Sequence, residues 1–195
     1  ERRPLKIPEY LLPYIQDEII KDLEYLEILY NYTLEHKPSL VLETGTYTGR
    51  SAIVIGTAMK TNGKGMIITV DNNMWKDLDN RTVIQRSLEI ALASFHLLGL
   101  DNIKYINCDC LNPTEFITSK HYDFVFLDSY HSYDHVSKEL EIYGKLADAV
   151  FIHDTRSHEG VDKAVWHYLS ENKGQWKLIH FYTSDGLWLI ERVLE

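Results

Sequence analysis

From residue 38 onward the sequence alternates short apolar runs with longer amphipathic stretches, and that rhythm restricts the chain to very few architectures. The runs fall at 40–42, 66–70, 103–106, 124–127, 150–152, 176–181 and 187–190, with helical periodicity at 51–59, 82–98, 133–146 and 161–169. In the last of these, Val161, Ala164, Val165 and Tyr168 share one stripe. Strands joined only through helices pair in parallel, because a parallel neighbour needs a crossover that returns the chain to the same edge. Runs this uniformly apolar also call for helices on both faces of the sheet. The expectation is a doubly wound α/β domain with a mostly parallel, seven-stranded sheet. Only residues 182–186 separate the last two runs, so these should close the sheet as an antiparallel C-terminal edge hairpin.

Ahead of this pattern, Pro4, Pro8 and Pro13 crowd the start and predict an irregular arm. A helix is expected from Asp17 to about His36, where Ile19, Leu23, Leu26 and Tyr30 recur at helical spacing and Asp17 and Glu18 face its positive end. Residues 1–38 are thus expected to form an N-terminal arm and helix, and 39–195 a single globular domain.

The formal charge of −9 argues against nucleic acid as a partner, since an acidic surface repels phosphates and no polybasic run offsets it. A small-molecule substrate suits the balance better. No apolar run reaches membrane-spanning length and no signal-peptide pattern opens the chain, so neither membrane nor export is expected. Cys108 and Cys110, one residue apart, are poorly spaced for a disulfide and too few for a four-cysteine zinc site. They are expected to be small buried side chains at a strand end, which fits a reducing, cytoplasmic setting.

In sheets of this kind ligands bind beyond the carboxyl ends of the strands, where strand order reverses. The first run leads into V-L-E-T-G-T-Y-T-G-R-S, residues 41–51. Gly45 and Gly49 let the backbone turn sharply and approach a ligand, and the next helix would aim its free N–H groups at it. A Gly45→Val change is therefore expected to block a ligand while leaving the fold intact. Two glycines alone describe an ordinary tight turn equally well, and the nicotinamide fingerprint is a poorer match for want of its middle glycine. The second run ends on Asp71, placed to accept from both hydroxyls of a ribose. The third is followed by Asp109, placed for an exocyclic amine.

Acids at three successive strand tips, the first opening a Gly-turn, form a set. Glu43-Thr-Gly-Thr-Tyr-Thr-Gly49, Asp71 and Asp109 resemble the donor-binding motifs of class I S-adenosylmethionine-dependent methyltransferases, whose sheet is Rossmann-like. The resemblance runs from about residue 40 to the end. It implies that Glu43, Gly45 and Gly49 meet the methionine part of S-adenosyl-L-methionine, Asp71 its ribose and Asp109 its adenine, with Thr46 and Ser51 of the same turn also binding the donor. Asp128 stands at the tip of the fourth run, beside that donor. The stretches D-S-Y-H-S-Y-D-H from Asp128 and F-I-H-D-T from Phe151 are similar to a narrower subgroup of sugar O-methyltransferases and cephalosporin-hydroxylase-like proteins. More distantly they resemble catechol O-methyltransferase, in which acids at these two strand ends hold magnesium. By that likeness Asp128 and Asp154 would bind a divalent metal, Mg2+ foremost. His153 stands where relatives often carry an acid or amide, and counts as a third candidate ligand.

His131 has three open roles: general base, since imidazole titrates near neutral pH; metal ligand; or a backbone hydrogen-bonding residue at a helix entry. His131 and His135, four apart, could share a face, with His135 and His158 more surface-like. Residues 72–81 leave the donor site as a polar loop in which Trp75 either covers a ligand or packs on the sheet edge. Taken together the residues predict metal-assisted O-methylation of a small hydroxylated molecule, a sugar or natural-product intermediate, with Asp128 and His131 catalytic. Two rivals are a metal-dependent hydroxylase or hydrolase built on the His/Asp cluster, and a non-catalytic S-adenosylmethionine-binding protein.

Overall fold

A computed structural model describes residues 6–16, 23–74 and 85–193. Its spine is the run Leu-Val-Leu-Glu-Thr, which forms strand β1 (Leu40–Thr44) between β2 (Met66–Asp71) and β4 (Tyr122–Leu127), parallel to both. β3 (Ile103–Asn107) lies outside β2, and β5 (Ala147–His153) outside β4, again parallel. The final hairpin, β6 (Trp176–Phe181) and β7 (Leu187–Arg192), is antiparallel, with β7 inserted against β5. The order β3-β2-β1-β4-β5-β7-β6 reverses direction between β1 and β4, which is where such sheets open a ligand crevice. The seven strands thus match the expected doubly wound sheet, most of them one or two residues longer than their apolar cores.

Helices cover both faces. α2 (Glu24–His36) and α3 (Arg50–Thr61) bury Leu26, Leu29, Ile53 and Ile55 against Val41, Phe124 and Phe151 on one side. On the other side, α6 (Tyr133–Tyr143) and α7 (Glu159–Glu171) bury Val136, Leu140, Val161 and Val165 against Leu42, Val125 and Ile152. α4 (Ser87–Leu97) packs Ala91 and Phe95 on α3, while the short α5 (Glu115–Thr118) follows β3. The expected start of α4 near residue 82, and residues 75–81 of the loop with Trp75, lie outside the described residues, as do 17–22 of the predicted first helix.

The arm is less irregular than its prolines suggest. Residues Glu9–Leu11 form a 3-10 turn and α1 (Leu12–Ile15) follows, with Pro13 in its first turn. Proline there sacrifices only an N–H that has no helical partner in any case. Ile7, Leu11 and Ile15 are buried in the same core as α2 and α3. Among the described residues no helix is long and apolar enough to cross a membrane.

Candidate active site

The turn after β1 is shaped by contacts within the chain. Gly45 (φ +88°) donates to Val70 O at 2.9 Å, and a Cβ built on it would stand 2.1 Å from the carbonyl oxygen of Asp128. Gly49 (φ +78°) caps α3, where a Cβ would meet the Phe95 ring at 2.6 Å. These glycines are required by the close approach of β4 and α4, so a Gly45→Val change would disturb the fold itself and not the ligand alone. That corrects the expectation of a purely steric block.

The three donor-side acids are each held by their own surroundings. Glu43 is fully buried and accepts from the hydroxyls of Ser51 and Thr69. Burial pushes its carboxyl up to about 8, against the pull of those two hydroxyls. Ser51, expected at the donor, is therefore spent on Glu43. The Thr46 hydroxyl pairs with that of Thr69 at 2.7 Å, leaving its backbone N–H for Asp71. Asp71 accepts from Thr46 N–H at 2.9 Å, Tyr47 N–H at 3.2 Å and Asn73 N–H at 2.6 Å, so it also laces the Gly-turn to β2. Asp109 accepts from Leu111 N–H and the Asn112 amide, at 2.9 and 2.8 Å.

At the tips of β4 and β5 the surroundings change. Asp128, Asp154, His131 and His153 converge on one cluster. Asp128 Oδ1 lies 3.2 Å from His153 Nδ1 and 3.5 Å from His131 Nε2. Asp154 Oδ2 lies 2.9 Å from His131 Nε2 and 3.4 Å from His153 Nδ1. The His131 contact is a close ion pair without hydrogen-bond alignment. Asp154 is one of the few non-glycine residues with a left-handed backbone (φ +59°), and Ser157 Oγ donates to its Oδ1 at 2.5 Å. His158, about half exposed, stands at the rim, its ring 4.7 Å from that of His131. His153 is buried against the Tyr25 ring of α2 at 4.2 Å.

Burial opposes charge throughout the cluster, but the facing groups outweigh it. Both imidazoles are pushed up to about 10 by Asp128 and Asp154, and both carboxyls are held below their ordinary range by the imidazoles. The two facing carboxylates thus push His131 above the near-neutral range expected of it.

His135 also departs from expectation. It is turned inward, away from His131, with its Nε2 2.9 Å from Ser129 Oγ and 3.3 Å from Cys110 Sγ. Ser129 in turn donates to the buried Glu139 at 2.8 Å. Helical spacing misled here because His131 precedes the first turn of α6, so the two histidines do not share a helical face. Ser129, Glu139, Ser157 and Thr69 carry no sequence signal of their own; only the tertiary contact reveals them. Both cysteines are buried and free, as expected.

The family model of rhamnosyl O-methyltransferase/CmcI matches residues 9–158 of the chain. No curated protein sequence matches it. Among solved structures, the S-adenosylhomocysteine-bound methyltransferase PaMTH1 of Podospora anserina aligns with a TM-score of 0.71 at 14% identity, over 96% of this chain and 89% of the other. The O-methyltransferase TomG of Streptomyces achromogenes, in complex with S-adenosylmethionine, gives 0.70 at 16% identity over 97% and 92%. An O-methyltransferase of Bacillus cereus gives 0.66 at 14% identity over 91% and 84%. At such identities these structures speak for the fold. The family match takes in the Gly-turn, the acids Glu43, Asp71 and Asp109 and the whole cluster from Asp128 to His158, and the chain belongs to the rhamnosyl O-methyltransferase/CmcI family of S-adenosylmethionine-dependent O-methyltransferases.

Proposed function

We propose that the protein methylates a hydroxyl of a small molecule, a sugar or natural-product intermediate, with S-adenosylmethionine in the crevice at the β1–β4 reversal and a divalent cation at the tips of β4 and β5. The observation that carries this is the convergence of Asp128, His153 and Asp154, whose ligand atoms all lie within 4.8 Å of one another beside the Gly-turn. Two carboxylates and an imidazole are a donor set that fits a divalent ion, the imidazole giving up its proton as the ion binds. Two acids are the count magnesium takes from a protein; an imidazole as third ligand moves the preference toward manganese or zinc. The rhamnosyl name of the family supports a sugar hydroxyl as acceptor.

The donor sulfonium carries an already activated methyl group, so the protein has to align it with a deprotonated acceptor. In this reading Gly45, Thr46 and Gly49 border the methionine part, with Glu43 and Ser51 fixing the turn from beneath. A carboxylate has about four acceptor positions, so Asp71 and Asp109 keep capacity for ribose hydroxyls and the adenine amine beyond their loop contacts. His131, partly exposed and paired with Asp154, is the imidazole that takes the acceptor proton. A divalent cation on Asp128 and Asp154 would supply a lowered acceptor pKa and offset the negative charge that holds the proton on His131.

The test is turnover on a panel of sugars and hydroxylated natural products, with donor affinity followed separately by calorimetry. Chelation should abolish turnover and spare donor binding, and a magnesium, manganese and zinc series should restore it and rank the ions. Asp128→Asn and Asp154→Asn should each copy the chelator. Full activity in ion-free buffer removes the cation from the mechanism, and donor binding without turnover on any acceptor favours a sensor.

A further inference from the structure

A second cluster of metal-ligating side chains lies where the turn after β3 meets α6. It is built by Cys110 after β3 and by His135 and Glu139 on α6, one helical turn apart. We propose that Cys110, His135 and Glu139 form a second cation site, for a thiophilic divalent ion of the zinc class, distinct from the one at Asp128 and Asp154.

The geometry is close to what such an ion needs. One ligand atom from each residue lies within 4.8 Å of the other two. Cys110 Sγ is 3.3 Å from His135 Nε2, and His135 Nε2 is 3.8 Å from Glu139 Oε2. A tetrahedral zinc with its usual bond lengths sets sulfur and nitrogen about 3.5 Å apart, and nitrogen and oxygen about 3.4 Å apart. The sulfur–nitrogen and nitrogen–oxygen separations are each within a few tenths of an ångström of those values. Ser129 Oγ, 2.9 Å from His135 Nε2 and 2.8 Å from Glu139 Oε1, marks the fourth corner, for itself or a water.

The chemistry of the three groups points the same way. Sulfur, nitrogen and oxygen together select zinc over magnesium or calcium. Glu139 is only 1% exposed, and no lysine or arginine is paired with it among the described residues. A carboxylate that deep calls for a cation or a proton. Burial raises the Glu139 carboxyl and the Cys110 thiol and lowers His135, so each group resists carrying a charge there alone. A neutral imidazole is the ligand form, and metal would displace protons from the other two groups. Cys108, two residues away, is turned elsewhere, with its sulfur 3.3 Å from Asp109 O and 3.6 Å from Asn112 O.

Cobalt(II) titrated into the metal-stripped full chain, under excess magnesium to occupy the oxygen-rich site, tests the proposal. One equivalent should bind with tetrahedral ligand-field bands and a thiolate-to-cobalt charge-transfer absorption, and zinc should bleach both. Cys110→Ser should remove the charge-transfer band, while Cys108→Ser and Asp154→Asn should keep it. Should Cys110→Ser fail to fold, Glu139→Gln serves instead: it keeps the thiolate band but weakens cobalt binding. Cobalt bound without a thiolate band, a band that survives Cys110→Ser, or one lost with Asp154→Asn would overturn the site.

Discussion

At the tips of β1, β2 and β3 each carboxylate ends on hydroxyl or amide donors: Glu43 on Ser51 of α3 and Thr69 of β2, Asp71 on three backbone N–H groups, Asp109 on its own turn. At the tips of β4 and β5, Asp128 and Asp154 face imidazoles instead. The first arrangement fixes the shape of a crevice with neutral donors and responds little to ions. The second stores charge at short range, so its balance depends on protons and cations. One sheet thus carries a half braced by neutral donors and a half of facing charges, and Gly45 joins them by its approach to the Asp128 carbonyl.

The comparison is broken most severely at that joint. Gly45→Val puts a side chain into the Asp128 backbone at a left-handed position, so both halves should fail together. The expected result is a clear fall in melting temperature together with lost donor binding; a stably folded variant that has lost only donor affinity would mean that the halves are independent. Next in size, His131→Ala should lower turnover by about 10²–10⁴-fold at saturating donor while leaving donor affinity almost unchanged. Full activity with an unaltered pH profile would leave His131 a structural role only. Asp71→Ala should do the reverse, weakening donor binding by about 1–3 kcal/mol with a smaller effect on turnover. Equal donor affinity in calorimetry would remove Asp71 from the donor site.

The smallest effect concerns the buried Glu43. Its folded pKa of about 8 lies above the ordinary 4.5, so the native state holds the proton more tightly than the unfolded chain. The stability that this contributes is complete below about pH 4.5 and is lost as pH rises through about 8. Melting temperatures of Glu43→Gln should therefore fall less steeply over that interval than those of the unaltered protein. Parallel curves would mean that the carboxyl is ionised in both states at neutral pH.

The strands and their order class were legible because parallel strands buried on both faces read as plain apolar runs. Their polar ends were not, since Glu43, Thr44, Asp71 and His153 continue the ladder without continuing the hydrophobicity. The helical turns of the arm were hidden by prolines, which the first turn of a helix tolerates. In the site, the carboxylates and glycines stood out at strand tips. Their partners did not: Ser51 is spent on Glu43, and His135 reaches Cys110 across 25 residues of chain. Periodicity registers neighbours on one helix, whereas these pairings depend on how close separate elements are packed.

The backbone of Asp154 has a wider consequence. A left-handed conformation costs an ordinary L-residue roughly 1–2 kcal/mol, a penalty glycine avoids. Asp154→Gly would therefore give part of that energy back to the fold while deleting the carboxylate that pairs with His131 and His153. Position 154 is thus a place where backbone ease and side-chain pairing pull in opposite directions. Because removing one partner of a buried ion pair costs more than the backbone recovers, selection for thermal stability alone would keep the aspartate despite its strained conformation.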